Sequence, residues 1–458
     1  MFRLKSFHAG LVVQAVACAA GVAGAACMAL AAAPAQAREL GADEAARLVA
    51  SGNADVIAAR RAVEAARAMI LQADVAPNPA LSFNSTGIGR ELGPGAPWSK
   101  RIDHTLRLDQ PIERGNKRGL RVAQAKNAEA ATRLDLAETL RRQRVAVGSA
   151  YVDLQLAQER VVLQDDSAAI MARMLAGAQV RLRAGDLAPA DVARIQVDAE
   201  RAAADARAAR GDLARAQVAL TLLLGLTEVP AELHASDNLP AASNDPLDTV
   251  DMVRLIEQRV DVRAARQRIV AAESGSALAR AQRTRDITVG VQVERYPGSS
   301  PMNSVGVGIS VPLFTGNYFE GDIAAAEADR GAASDNLMRV QAAARAEIVA
   351  AASDLRVARE RLARYEGGLL TAAKRSADAA EFAFTRGALS VLELLDARRS
   401  YRGVQLEALA ARADHARALA AWRLATTSAE EPEPTGMTAA ALQSSPNHPL
   451  TALRTGLQ

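Results

Sequence analysis

The residues of this chain that are best placed to do chemistry are carboxylates that follow two glycine turns. Asp191 lies six residues after Gly185, and Glu393 lies six residues after Gly387. Asp396 lies one helical turn beyond Glu393. Because carboxylates attract cations and raise their local concentration, these residues are candidates for guiding positive ions.

Each of these carboxylates also has a structural interpretation. Ser390 and Glu393 have the spacing of a capping box, in which two side chains bond reciprocally to the first turn of a helix. Asp191 follows Pro189 by two residues, a pattern that is typical of a helix start. Asp396 lies too deep in its helix to act as a cap, which favours a functional role for this residue.

Basic residues flank the same two turns. Arg183 and Arg386 lie just before the glycines, and Arg194 occupies the position in the first half of the chain that matches Asp396 in the second half. We hypothesise that Arg183 and Arg386 pair with the carboxylates and hold the two turns together.

The sequence offers no residue set for catalysis or for a metal cofactor. It contains no nucleophile–base pair, no glycine-rich phosphate loop after a strand and no basic stretch with interleaved aromatic residues. The histidines after residue 37 have no ligand spacing, and they are His104, His234, His415 and His448. With 55 basic and 52 acidic side chains the charge is balanced, so we expect neither an enzyme nor a nucleic-acid-binding protein.

The first 37 residues have the pattern of a secretory signal peptide. Two basic residues precede an alanine-rich apolar run, and a small-x-small cleavage pattern ends at Ala37. A membrane anchor and a lipid-modified Cys27 are the alternatives. No later apolar run has the length of a transmembrane helix, so we expect any membrane crossing to be made by strands.

The first half of the chain predicts a helix, two strands, a long helix and a further helix. The helical pattern stops at two prolines, and the strands alternate apolar with polar residues. The predicted bounds are 42–76 for the first helix, 81–89 and 101–110 for the strands, 116–183 for the long helix and 189–224 for the last.

The second half repeats this order. The predicted bounds are 249–283 for the first helix, 287–295 and 304–311 for the strands, 320–386 for the long helix and up to about 427 for the last. Gly115 matches Gly316 at an offset of 201, and Gly185 matches Gly387 at an offset of 202. We therefore predict two tandem repeats, 38–245 and 246–427, followed by a disordered tail at 428–458.

The four strands have the length and the alternation of an outer-membrane barrel wall. Four strands cannot close a barrel, and open edges are not tolerated in lipid, so two copies would give eight strands and three would give twelve. Edge hairpins of a soluble domain are the alternative. Aromatic residues after the last strand fit a membrane-interface girdle, and they are Phe314, Tyr318 and Phe319.

Four segments together resemble the TolC-like outer-membrane factor family, the exit ducts of Gram-negative efflux and secretion systems. They are PNPAL at 77–81, QPIERGNKRGLRVAQAKNAEA at 110–130, VGVGISVPLFTGN at 305–317 and GALSVLELLDARRSY at 387–401. The resemblance implies a mainly α fold with a small β part. It also implies a homotrimer whose 12-stranded barrel in outer-membrane lipid continues into a long periplasmic α-helical barrel.

The chain is most similar to the heavy-metal efflux components of the cobalt–zinc–cadmium kind. The resemblance implies that a periplasmic adaptor and an inner-membrane RND pump are partners, and that Glu393 and Asp396 occupy the acidic positions of the periplasmic gate. The glycine turns would be the tips that contact the adaptor. These tip residues are Arg183, Gly185, Leu187, Arg386, Gly387 and Leu389, although the two leucines have packing across the hairpin as an alternative.

Other functions remain open at this point. A drug-efflux or type I secretion channel would share the same architecture. A periplasmic coiled-coil adaptor or a scaffold protein would share the long helices but would have no use for four strands with one apolar face.

Overall fold

The computed structural model describes residues 38–87, 102–226, 233–240, 251–296 and 302–426. The predicted signal peptide, the predicted tail and the loops at 91–100 and 297–301 lie outside the described residues. So do residues 88, 89 and 101, which were predicted to belong to strands.

Most of the described chain is helical, with a small sheet part, which confirms the predicted mainly α class. The helices of the first half are α1 Ala42–Gly52, α2 Ala54–Ala73, α3 Lys117–Ala184 and α4 Pro189–Leu224. Those of the second half are α5 Met252–Gln258, α6 Val260–Ala281, α7 Glu320–Arg364, α8 Leu370–Thr385 and α9 Val391–Thr426.

A four-stranded antiparallel sheet joins the two halves. Its strands, in their order across the sheet, are β2 Ala80–Thr86, β3 Asp103–Ile112, β5 Ile287–Tyr296 and β6 Met302–Ser310. They lie within about two residues of the predicted bounds wherever the chain is described. Sequence analysis missed a short parallel pair, β1 Arg38–Leu40 and β4 Leu233–Ala235.

The long helix α3 runs without a break for 68 residues, about 100 Å at the rise of an α-helix. It is built mostly from strong helix formers such as Ala, Leu, Arg and Gln. It packs against α2, α4, α6 and α9, so different parts of its surface are buried along its length.

The predicted helix 42–76 is two helices, because the chain turns at Asn53. The Asn53 side chain caps α2 by accepting hydrogen bonds from the backbone N–H groups of Asp55 and Val56, at 3.0 and 3.2 Å. Gly52 lies so close to Gly225 that a Cβ on Gly225 would be 1.9 Å from the Gly52 carbonyl oxygen. This tertiary contact overrides the continuous helical propensity of the segment.

The predicted helix 249–283 is also two helices, with the break at Arg259. The Arg259 backbone is extended, and its side chain is 6% exposed. The guanidinium group binds Asp261 and Glu347. Ion pairs of the buried Arg259 side chain therefore hold the break in the second half, whereas an asparagine cap holds it in the first.

The predicted helix 320–386 is interrupted by a π-helical turn at Tyr365–Leu369. Within this turn Gly368 has φ +146°, a conformation that L side chains rarely adopt. The matching part of α3 has no interruption.

Candidate functional site

One face of the sheet is apolar and exposed. Leu81, Leu108, Val291 and Val307 form a row across all four strands, and Val307 alone is 75% exposed. A second row, two residues along, consists of Phe83, Leu106, Val293 and Val305. The predicted alternation is confirmed, and the sheet presents a continuous apolar surface.

The opposite face carries a polar network centred on Arg107. Its Nε donates to both carboxylate oxygens of Asp109 at 2.9 Å, and its Nη1 donates to Gln292 Oε1 at 3.2 Å. Glycines leave room for this network. A Cβ on Gly290 would lie 2.2 Å from Asp109 Oδ1, and one on Gly308 would lie 3.4 Å from Arg107 Nη2. The small residues of β5 and β6 therefore serve the polar face of the sheet.

The aromatic residues predicted as a membrane girdle lie directly after β6. Phe314 and Phe319 meet edge to face with their ring centroids 5.2 Å apart. The Arg285 guanidinium lies 5.2 Å from the Phe314 centroid, and Tyr318 is half exposed. The structure brings these residues together at the junction between the sheet and the helices, and their membrane role stays a prediction.

The two glycine turns have the same geometry. Gly185 has φ +79°, and Asp186 N–H donates to Arg181 O at 2.9 Å. Gly387 has φ +73°, and Ala388 N–H donates to Ala383 O at 2.9 Å. Nothing lies within 4 Å of a Cβ built on either glycine, so the left-handed backbone, rather than close packing, requires glycine here.

Both turns belong to one end of the helical part. A cluster of buried residues from α3, α4 and α9 joins them, and its members are Met171, Ala178, Val192, Ile195, Ala202, Val391 and Leu395. Leu187 is half-buried and packs against this cluster. Leu389 is also half-buried.

The candidate gate acids differ in what they contact. Asp191 pairs with Arg194 at 3.1 Å. Glu393 forms the predicted capping box with Ser390, whose hydroxyl and backbone N–H donate to Glu393 Oε2 at 2.7 and 3.0 Å. These two hydrogen bonds hold the pKa of Glu393 below its usual value. Asp396 is exposed and has no hydrogen-bond or ion-pair partner among the described residues.

The basic residues at the tips do not contact these acids within one chain, apart from Arg194. The Arg386 guanidinium lies 4.9 Å from the centroid of Phe382. Arg183 is exposed and pairs with none of the described side chains. Pairing of Arg183 or Arg386 with acids of another subunit stays a prediction.

Sequence analysis missed the ion network around Arg259. Arg259 Nη2 lies 2.8 Å from Asp261 Oδ2 and 2.6 Å from Glu347 Oε2, and Arg141 Nη1 lies 2.9 Å from Glu347 Oε1. Burial alone would raise the pKa of Asp261 and of Glu347, but the guanidinium groups outweigh it and hold both pKa values below their usual range. No local pattern could have revealed this network, because Glu347 lies 88 residues from Arg259.

Sequence analysis also missed the role of Tyr151. Its hydroxyl lies 2.8 Å from the Leu40 carbonyl oxygen and 2.9 Å from Asp237 Oδ2. Burial, together with the neighbouring Asp237 carboxylate, raises the pKa of Tyr151 to about 12. Tyr151 therefore connects α3 to strand β1 and to the segment after β4.

The described residues contain neither a cluster of metal ligands nor a helix suited to cross a bilayer. No group of three or more His, Cys, Asp or Glu side chains in them is arranged to hold a metal ion. None of the helices there combines the length and the apolar character needed to cross a bilayer.

The family model described as outer membrane efflux protein matches residues 45–226 and 252–427. The cobalt-zinc-cadmium resistance protein CzcC of Cupriavidus metallidurans is 27% identical over 354 residues, which are 77% of this chain and 82% of that protein.

Solved structures of outer-membrane channels have the same fold. A structure of CusC, reported with conformational changes that accompany folding and transmembrane channel formation, matches with a TM-score of 0.71 at 19% identity. The match covers 84% of this chain and 91% of CusC. The Campylobacter jejuni CmeC outer membrane channel matches with a TM-score of 0.72 at 15% identity and covers 88% of each chain.

Proposed function

The chain belongs to the outer membrane efflux protein family, and from this we propose that it is the exit duct of a tripartite system that expels metal cations. Members of this family are passive channels and not enzymes. In the proposed system an inner-membrane RND pump and a periplasmic adaptor deliver the cations, and this duct passes them out of the cell.

The observation that best supports the proposal is a four-stranded sheet whose two edge strands are unpaired among the described residues. One face is apolar and exposed, the other is polar, and both edge strands, β2 and β6, lack an outer partner among the described residues. Unpaired edges are not tolerated within a bilayer, so β6 of one subunit must pair with β2 of the next. Three subunits with four strands each supply the twelve strands of a closed barrel, which is the trimer that we propose.

The likeness to a cobalt-zinc-cadmium resistance protein supports metal cations as the cargo. Asp396, exposed near the tip of the second hairpin, is the proposed gate residue, and three copies would form a ring of carboxylates that attracts cations. We assign Glu393, Asp191, Arg194 and Arg386 to the surroundings of this gate. Adaptor contact is assigned to the two tips, with Arg183, Gly185, Leu187, Arg386, Gly387 and Leu389.

The cargo is tested by deleting the gene in its native bacterium. We expect growth to become more sensitive to cobalt, zinc and cadmium salts, with sensitivity to lipophilic drugs unchanged. The opposite pattern would favour a drug-efflux duct, and loss of a secreted protein would favour type I secretion. Cell fractionation tests whether the protein is an outer-membrane channel at all, because the proposed duct must be found in the outer membrane.

The gate is tested by single-channel recording of the purified protein in planar bilayers. We expect Asp396→Ala to lower the cation selectivity of the pore and to weaken its block by divalent cations. Asp329→Ala removes an exposed carboxylate on α7 and serves as the matched control. If the Asp396 variant kept the conductance, selectivity and block of the unchanged protein, the gate assignment would be wrong.

A further inference from the structure

An open cleft lies where the sheet meets the helices. Its wall includes Arg114, Arg283, Arg285, Phe314 and Tyr318, together with Thr284 and Glu320. Three arginines from two separate connecting segments thus surround one cleft that also has an aromatic wall.

The two connecting segments, one with Arg114 and one with Arg283 and Arg285, are in direct contact. Arg114 N–H donates to Asp286 Oδ1 at 2.9 Å. The next residue, Gly115, has φ +71°, and a Cβ on it would lie 2.8 Å from Thr284. The segment that carries Arg114 is therefore packed directly against the segment that carries Arg283 and Arg285.

The three guanidinium groups of the cleft are not neutralised within the described chain. Arg283 Nε donates to the Tyr318 carbonyl oxygen at 3.2 Å, Arg285 lies over the Phe314 ring, and the Arg114 side chain has no partner among the described residues. One carboxylate, Glu320, also borders the cleft, so the cleft carries a net positive charge.

Neighbouring basic residues at the start of α3, in contrast, are each paired with a carboxylate. Lys117 pairs with Asp286 at 2.9 Å, Arg118 pairs with Asp74 at 2.9 Å, and Arg121 pairs with Glu113. These three basic residues at the start of α3 are therefore neutralised by carboxylates, unlike the three arginines of the cleft.

The cleft continues the exposed apolar face of the sheet. Ile112, the last residue of β3, pairs with Ile287, the first residue of β5, and Ile112 is 48% exposed. Arg114 follows Ile112 by two residues and Arg285 precedes Ile287 by two, so both arginines lie just beyond this end of the sheet. A molecule with an anionic head and an apolar tail would meet the guanidinium groups and the apolar face together.

We infer that this cleft binds the phosphate headgroup of an anionic phospholipid, whose acyl chains lie along the apolar face of β3 and β5. Guanidinium groups bind phosphate oxygens through charge-assisted hydrogen bonds, and basic pockets beside aromatic residues suit the headgroup region of a membrane. Inorganic phosphate has the same charged group, but the adjoining apolar face favours the lipid. The inference rests on the proposed membrane location of the sheet.

The test is a lipid titration of the delipidated full-length protein in neutral detergent, followed by native mass spectrometry. The probes are dioleoylphosphatidylglycerol, zwitterionic dioleoylphosphatidylcholine and inorganic phosphate. We expect tight binding of phosphatidylglycerol only. The Arg114→Gln/Arg283→Gln/Arg285→Gln variant should bind it about a hundredfold more weakly, since each arginine near a lipid surface contributes about a fivefold factor.

A matched control removes three exposed arginines from the helices, as Arg207→Gln/Arg345→Gln/Arg375→Gln, and should bind phosphatidylglycerol like the unchanged protein. If the triple cleft variant does not assemble, Arg114→Gln alone provides the test. The Arg114 side chain has no partner among the described residues, so this variant should fold, and losing one arginine should weaken lipid binding about fivefold.

Three results would overturn the inference: equal binding by the cleft variant, equal binding of phosphatidylcholine, or displacement of the lipid by inorganic phosphate at similar concentration. The proposed function fails separately, because it requires the protein to fractionate with the outer membrane and to conduct ions. A protein that meets both requirements but shows any of these three results would refute the lipid site alone.

Discussion

In the first half of the chain the helical segment before the strands breaks at Asn53, and in the second half it breaks at Arg259. The first break is held by an uncharged cap and a glycine–glycine contact, whereas the second is held by the ion pairs of a buried arginine. The two break residues therefore share an extended backbone but are held by different interactions.

The long hairpins differ in the same way. The first hairpin, α3 and α4, contains an unbroken helix, whereas the second, α7 to α9, contains a π-helical turn with Gly367 and Gly368. Both hairpins turn at a glycine with positive φ. The two halves therefore share a hairpin turn at a positive-φ glycine, whereas the side chains that hold their helix breaks differ.

The largest effect is expected where the second half depends on buried charge. Arg259→Met should lower the free energy of unfolding by about 3 kcal/mol, because it leaves Asp261 without its buried partner. Asn53→Ala, at the break in the first half, should cost only about 1 kcal/mol, the usual effect of losing a helix cap. Urea denaturation in detergent, followed by circular dichroism, measures both.

An exposed arginine serves as the control that separates the effect of burying an ion pair from the effect of removing one positive charge. Arg266 lies on the same helix as Asp261 and pairs with Glu257, and both of these side chains are more than a third exposed. Arg266→Met should change the free energy of unfolding by less than about 1 kcal/mol. Equal losses for Arg259→Met and Arg266→Met would contradict the buried-network account.

The same network predicts a pH dependence that the first break lacks. The folded pKa values of Asp261 and Glu347 lie below the ordinary values of 3.8 and 4.5. Their stabilisation is therefore fully present above about pH 5 and is lost as the pH falls through the folded values. Between about pH 5 and pH 3 the unchanged protein should lose more stability than Arg259→Met does, and parallel curves would argue against the network.

The next effect concerns the two adjacent glycines of the π-helical turn. Gly368→Ala should destabilise the protein by about 2 kcal/mol, because φ +146° is strained for any L side chain. Gly367→Ala, where φ is not positive and nothing lies within 4 Å of a Cβ, should stabilise it by about 0.5 kcal/mol. Thermal unfolding of both variants checks the opposite signs, and shifts in the same direction would contradict the prediction.

The last effect concerns the starts of the helices after the tips. Ser390→Ala should destabilise the protein by about 1 kcal/mol, since Ser390 caps α9. Ala188, at the start of α4, has no capping side chain, and Ala188→Ser should therefore stabilise that tip. Hydrogen exchange of the first-turn amides would show the change at each tip, and unchanged exchange in both variants would contradict the capping account.

The strands and turns were predictable because their signals are local. Alternation along 304–311 and the glycines at Gly185 and Gly387 each depend on neighbouring residues only. The breaks at Asn53 and Arg259 were not predictable, because residues far along the chain create them. Gly225 approaches Gly52, and Glu347 reaches Arg259 from α7.

The candidate site was predictable only in part. The capping box of Ser390 and Glu393 follows from its spacing and is present in the structure. The cleft of Arg114, Arg283 and Arg285 was missed, because only the pairing of β3 with β5 brings these arginines together. Contact of Arg386 with Phe382, rather than with an acid of its own chain, also depends on side-chain packing that the sequence pattern does not specify.

The most direct test of the account is the number of chains in the purified assembly, measured by native mass spectrometry after extraction of outer membranes with neutral detergent. Because each chain supplies four strands with two unpaired edges, the account predicts three chains per particle and precipitation when detergent is removed. A single chain that stays dissolved in plain buffer would contradict it.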